Sequence, residues 1–88
     1  ESADPRLVAA IARSAAGHPG VVKIHQVLTL HAAPEMVTAI ISADFEDTIS
    51  ARAVERIVAA IQREVAEEFP IVTKVFVEPR DSRDVPPV

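Results

Sequence analysis

Three histidines, His18, His25 and His31, and thirteen carboxylates are the side chains in this sequence that could bind a metal ion or move a proton. The chain has no cysteine, which excludes disulfides, thiol nucleophiles and thiolate metal ligands. Any metal ion must therefore be bound by imidazole nitrogen or by carboxylate or backbone oxygen. Such a ligand set suits Zn²⁺, Mn²⁺, Fe²⁺ or Co²⁺.

Four residues are candidate metal ligands because of their expected positions. We expect His25 on a strand face directed away from the helices, Asp44 and Glu78 near strand ends, and Glu55 in the first turns of a helix. Three of them also have an ordinary explanation. His25 equally suits a dimer interface, Glu55 complements the positive end of its helix, and Glu78 marks a strand end before Pro79. The spacing leaves both interpretations open.

The usual signatures of an enzyme are missing from the sequence. There is no nucleophile-elbow pattern and no glycine-rich phosphate loop, and the chain has only two glycines. A domain of 88 residues has one thin core, which would exclude water poorly from a catalytic site. We therefore predict that the protein is not an enzyme.

Charge and aromatic content argue against nucleic acid as a partner. Thirteen acidic and nine basic residues give a net charge of −4, which opposes binding to a phosphate backbone. All three aromatic residues are Phe, so no Trp or Tyr provides a surface for base stacking. No apolar run is long enough to span a bilayer, and we expect the chain as given to be soluble.

Hydrophobic periodicity predicts five elements. Asp4 followed by Pro5 is typical of a helix start, and Ser50 is the expected cap of a second, strongly amphipathic helix. The segment 17–20 ends the first helix, because Gly17 tolerates a positive φ and Pro19 breaks helices. The predicted elements are helix 5–16, a hairpin of strands 21–31 and 36–45, helix 50–69 and strand 71–78, followed by a flexible tail at 80–88.

This order indicates an α+β fold in which both helices cover one side of a three-stranded mixed sheet. Alternation predicts that Ile24, Leu28 and Leu30 share one face of the first strand. The uncovered face would then include Val27 and Phe76, together with Val21, His25 and Glu78. Such a partly apolar face favours a homodimer.

Several strings resemble the cytosolic C-terminal domain of cation diffusion facilitator transporters, a family of divalent-metal efflux proteins. They are HPGVVKIHQVLTL, FEDTISARAVERIVAAIQREVAEEFP and VTKVFVEP, and the resemblance covers residues 7–79. It implies a ferredoxin-like, metallochaperone-like α-β-β-α-β domain at residues 1–79 that regulates and dimerises. It also implies a location on the cytoplasmic side of the membrane, below the protein's own six-helix transmembrane domain, which would exchange Zn²⁺, Fe²⁺ or Mn²⁺ for protons.

The resemblance also assigns positions to the family's regulatory metal ligands. The first-strand histidine falls on His25, and the helix histidine falls on Glu55, which can still bind a metal ion. The second-strand ligand falls on Ser42, with Asp44 two residues on and on the same strand face as a substitute. The resemblance therefore implies a site in which carboxylates replace imidazoles.

The last strand departs further from the family's pattern. Phe76 stands where the family has an imidazole, while Glu78 retains the acid. Carboxylates in place of imidazoles would favour harder ions such as Mn²⁺ or Fe²⁺ over Zn²⁺, and the alternative is that the site has been lost. We expect metal ions to be weakly bound or absent.

Two other functions fit the same architecture, since a fold does not determine a function. One is a freestanding module that binds a small ligand or a metal ion, and the other is a purely structural dimerisation unit. Six apolar spans encoded upstream of Glu1 would favour the transporter interpretation.

Overall fold

The computed structural model of the chain describes residues 4–84, which adopt the predicted α-β-β-α-β order. The predicted α+β class and the three-stranded mixed sheet are confirmed. Residues 85–88 of the predicted tail lie outside the described part of the chain. The elements are α1 (Pro5–Ala16), β1 (Val21–Ala33), β2 (Met36–Phe45), α2 (Ala51–Glu68) and β3 (Val72–Pro79), followed by a 3₁₀ turn at Ser82–Asp84.

Both helices begin at the capping residues that the sequence predicts. A carboxylate oxygen of Asp4 accepts the backbone N–H of Arg6 at 2.8 Å, and Pro5 occupies the first helical position. The Ser50 hydroxyl oxygen accepts the N–H of Ala53 at 3.0 Å at the start of α2. These side chains satisfy backbone donors that have no partner inside the helix. Neither helix has the length and apolar composition that crossing a membrane requires.

The sheet has the strand order β1-β2-β3, with β2 antiparallel to β1 and parallel to β3. On the face that the helices cover, α1 packs mainly against β1 and α2 against β3. The buried side chains between the two layers are Ile11, Ala15, Val37, Ala39, Ile41, Ile61, Val65 and Val72. The second face of the sheet has no helix against it among the described residues.

A β-bulge at His25 changes which side of β1 faces the core. Ile24 pairs with Ala43 and Gln26 pairs with Ser42, so His25 is an extra residue without a counterpart on β2. Because side chains alternate along a strand, one extra residue exchanges the two faces of the chain that follows.

The expectation that Leu28 and Leu30 share the face of Ile24 is therefore wrong. Leu28 and Leu30 are 41% and 44% exposed, whereas Thr29 is buried and Val27 packs against the core. Val21 also packs against the core, so neither Val21 nor Val27 belongs to the uncovered face. Phe76, at 53% exposure, lies on that face as predicted.

Gly20 has a positive φ of +95°, whereas the φ of Gly17 is −75°. We expect Gly20→Ala to lower the free energy of unfolding by about 1–2 kcal/mol, because a residue with a Cβ is strained at this φ. The new Cβ would also lie 2.8 Å from Cδ1 of Ile57, which would have to move. Urea denaturation measures this loss.

Gly17→Ala is the matched control for that substitution. Gly17 has an ordinary φ of −75°, and an added Cβ would meet Ser14 O at 3.6 Å, which is normal contact. The control should be neutral or slightly stabilising. Equal losses at the two glycines would contradict the positive φ as the cause.

Candidate metal centre

His25 lies at the β-bulge, where its half-buried imidazole is positioned differently from the side chains of a regular strand. Its Nε2 is 3.3 Å from the Oγ of Ser82, in the 3₁₀ turn that follows β3. Ser82 is 57 positions away in sequence, so this contact depends on the complete sheet.

Asp44, near the end of β2, contacts the same serine. The Ser82 hydroxyl donates to Oδ2 of Asp44 at 2.5 Å, and the Ser82 backbone N–H lies 3.3 Å from the same oxygen. One hydroxyl group therefore joins His25 and Asp44, two of the four predicted ligands. Sequence reasoning missed Ser82, although a serine shortly after a strand-ending proline is a typical turn signal.

The turn that carries Ser82 is held by neighbouring ionic contacts. The Arg83 side chain donates to Asp81, and this hydrogen bond is the main reason that the pKa of Asp81 falls to about 2. A weaker contribution comes from the nearby charge of His25. Arg83 Nη2 also lies 3.9 Å from Oδ1 of Asp47, in the β2–α2 loop. Asp81 is therefore ionised at neutral pH close to the imidazole.

Glu78 lies on the uncovered face of the sheet, paired in register with Ser42. Its Oε1 accepts a hydrogen bond from the Ser42 hydroxyl at 3.2 Å and lies 3.6 Å from Nη1 of Arg80. Glu55 occupies an exposed position in the first turns of α2, on the other layer of the domain.

Within residues 4–84, no group of three or more His, Asp or Glu side chains converges to enclose a metal ion. The described structure brings His25 and Asp44 together, while the contacts of Glu78 are with Ser42 and Arg80. The four-residue ligand set thus remains a prediction. Within one chain, only two of its members, His25 and Asp44, are brought together among the described residues.

The other two histidines lie away from this pair. His18, in the α1–β1 turn, is mostly buried, and its Nε2 is 3.1 Å from Oε2 of Glu64 on α2. The two atoms are at ion-pair distance but are not aligned for a hydrogen bond. His31 is exposed near the far end of β1.

Two open clefts give solvent access to the pair. A groove of about 400 Å³ between α1 and β1 has His25 in one wall and is otherwise largely apolar. A smaller cleft of about 210 Å³ lies beside Asp44 at the carboxyl ends of β2 and β3. Its charged lining residues are Asp44, Glu46, Asp47, Asp81 and Arg80. Four carboxylates and one guanidinium make this cleft attractive to cations.

The uncovered face of the sheet has an apolar centre between polar rows. Leu28, Ile40 and Phe76 are paired in register across the three strands. On β3 this row is flanked by Lys74 on one side and Glu78 on the other. Exposed large side chains in such an arrangement are typical of a surface that another molecule covers.

Comparisons with known proteins give matches among solved structures. A scan of protein-family models and a search of curated proteins return no match. A nickel form of a MamM C-terminal domain variant superposes with a TM-score of 0.81 at 14% identity, covering 89% of this chain and 98% of that one. A cadmium form of another variant gives 0.80 at 14% identity, covering 88% and 95%. A further MamM C-terminal domain gives 0.78 at 14% identity, covering 86% and 95%.

MamM is a cation diffusion facilitator transporter, so the matched domains belong to a transporter and not to an enzyme. At this level of identity the likeness establishes the shared ferredoxin-like fold, and it extends over nearly the whole of each matched domain.

Proposed function

We propose that the chain is the dimerising, metal-responsive C-terminal domain of a proton-coupled divalent-metal efflux transporter. In this proposal residues 1–79 form the regulatory domain on the cytoplasmic side of the membrane, and the other partner is the transporter's own transmembrane domain. The shared fold with the MamM C-terminal domains supports the proposal, as does the resemblance of residues 7–79 to the family.

The proposal of a metal response rests on one observation: the side chains of His25 and Asp44 both contact the hydroxyl group of Ser82. Imidazole nitrogen and carboxylate oxygen are suitable donors for Zn²⁺, Mn²⁺, Fe²⁺ or Co²⁺. His25 and Asp44 provide two of the four ligands that a tetrahedral metal site needs, so one chain fits a metal ion only as half of a site. Glu55, Glu78 or a second copy would supply the remaining ligands, which is consistent with weak binding to an isolated chain.

A second copy of the chain is the proposed occupant of the uncovered face. Phe76 lies midway between Lys74 and Glu78, which carry opposite charges on the same face of β3. A twofold axis at Phe76 would place Lys74 of each copy opposite Glu78 of the other and would join the two apolar rows. This charge pattern suits an isologous dimer.

Metal binding would act by favouring one arrangement of the two copies. An ion shared between the copies binds more tightly when they are close, and it shifts the population toward the closed arrangement. The transmembrane domain would sense that shift through its attachment to the regulatory domain.

We expect His25→Ala to weaken Zn²⁺ binding by the chain at least about tenfold, because imidazole nitrogen is the softer of the paired donors. Isothermal titration calorimetry at pH 7 measures this change. The unaltered chain should itself bind weakly, with a Kd above the submicromolar range. His31→Ala is the matched control, since it removes an exposed histidine from the far end of the same strand.

Two results would contradict the metal response. One is an affinity that is equal in the unaltered chain and in His25→Ala, and the other is the absence of Zn²⁺ binding altogether. Small-angle scattering with and without Zn²⁺ separates a sensor from a passive dimerisation unit, because only the sensor becomes more compact.

A further inference from the structure

We propose that Ser82 is a built-in competitor of the metal ion, which holds His25 and Asp44 in a closed pair that metal binding must open. This inference rests on the proposed metal-responsive function and names its regulation. It assigns a role to the turn after β3, which neither the hydrophobic pattern nor the core requires.

The position of the Ser82 hydroxyl group shows why Ser82 opposes a metal ion. A serine hydroxyl has one proton, and here Ser82 donates it to Oδ2 of Asp44. The same serine oxygen lies 3.3 Å from Nε2 of His25. The hydroxyl group thus occupies the space beside Nε2 that a metal ion bound to this nitrogen would need. Metal binding through Nε2 therefore requires the hydroxyl group to move away.

Asp44 is engaged in the same way. Its Oδ2 faces both the hydroxyl and the backbone N–H of Ser82, at 2.5 and 3.3 Å. A metal ion that binds this oxygen must replace two hydrogen-bond donors to a charged group, which are stronger than donors to neutral groups. Ser82 thus contacts both atoms that would bind the metal ion, Nε2 of His25 and Oδ2 of Asp44.

The rest of the turn allows Ser82 to move without unfolding the domain. Arg80 N–H donates to Ala43 O at 2.7 Å and extends the pairing of β2 with the segment after β3. Arg83 connects the far side of the turn to Asp81 and Asp47. Because these anchors lie on both sides of Ser82, release of its side chain needs only a local change in an exposed three-residue turn. Metal binding and turn release are then reciprocally linked.

We expect Ser82→Ala to bind Zn²⁺ about fivefold to tenfold more tightly than the unaltered chain, because the competing hydroxyl is gone while the turn's other anchors remain. Calorimetry on the full 88-residue chain measures this gain. Thr48→Ala is the matched control, since it removes an exposed hydroxyl from the β2–α2 loop, and it should leave the affinity unchanged.

Amide hydrogen exchange followed by NMR gives a second readout. Saturating Zn²⁺ should accelerate exchange of the Ser82 amide about tenfold in the unaltered chain, since its acceptor on Asp44 is taken by the ion. The amide of Ala53, which donates to Ser50 at the start of α2, should not change and serves as the reference.

The possible outcomes distinguish a failure of the competitor role of Ser82 from a failure of the proposed metal response. If Ser82→Ala binds Zn²⁺ equally or more weakly while His25→Ala still weakens binding at least about tenfold, Ser82 is no competitor and the proposed function stands. If neither the unaltered chain nor Ser82→Ala binds Zn²⁺, the metal response fails and the competitor role fails with it.

Discussion

The Phe76→Asp variant is expected to be monomeric at concentrations at which the unaltered chain is a dimer. Phe76 is more than half exposed in the apolar row that the second copy would cover. In a dimer, each new carboxylate would be buried against apolar side chains without a partner, which is strongly unfavourable. A loss of about 2–4 kcal/mol corresponds to a dimer Kd raised by about 30-fold to 1,000-fold. Sedimentation equilibrium measures this Kd directly.

Ala59→Asp is the control for the added charge. Ala59 is exposed on α2, on the opposite layer of the domain, so its variant should remain a dimer. Circular dichroism checks that both variants are folded. Dimerisation that survives Phe76→Asp, or an unaltered chain that is monomeric at millimolar concentration, would contradict the proposed interface.

Ile41→Ala is expected to be the most destabilising single substitution proposed for this chain. Ile41 is fully buried at the centre of β2, the middle strand, and packs between the sheet and the helices. Truncation would leave a cavity and lower the free energy of unfolding by about 2–5 kcal/mol. Small domains are stable by about 5–15 kcal/mol in total, so a large part of the stability would be lost. Urea denaturation should show a lower midpoint with little change in slope.

The neighbouring Ile40→Ala provides a control of the same chemistry on the opposite face. Ile40 is only half-buried within one chain, so its loss should be about 1 kcal/mol when the uncovered face is in water. Both variants should be measured in the Phe76→Asp background to keep that face exposed. Equal losses at the two positions would mean that the assignment of the faces of β2 is wrong.

The helices were predictable because their signals are local. The apolar stripe of α2 repeats at helical spacing over 18 residues, and Ser50 and Asp4 are capping residues whose partners lie two or three positions away. The strand faces of β2 were equally readable, since Val37, Ala39, Ile41 and Ala43 alternate without interruption and are all buried.

The faces of β1 were not predictable because nothing in the sequence marks the bulge. No glycine or proline lies near His25, and apolar residues occur on both sides of it, so two registers fit the pattern equally well. Pairing with β2 decides between them, since it places Val27 and Thr29 on the core side.

The candidate site was predictable only in part, for a similar reason. Residue type and strand position were enough to select His25 and Asp44. The contribution of Ser82 depends on contacts across 57 and 38 residues, which form only when β3 is paired beside β2. The sequence shows Ser82 simply as one residue of a charged, proline-containing tail.

The interrupted pairing of β1 also influences how copies of this chain can assemble. Strands at the border of a sheet have free N–H and C=O groups, and long regular borders add to one another and grow into fibres. In β1 the register shifts at three places, between Val21 and Lys23, between Ile24 and Gln26, and between His31 and Ala33. These shifts break the even spacing that continuous strand addition needs. Side-by-side growth into aggregates through the β1 border is thereby disfavoured.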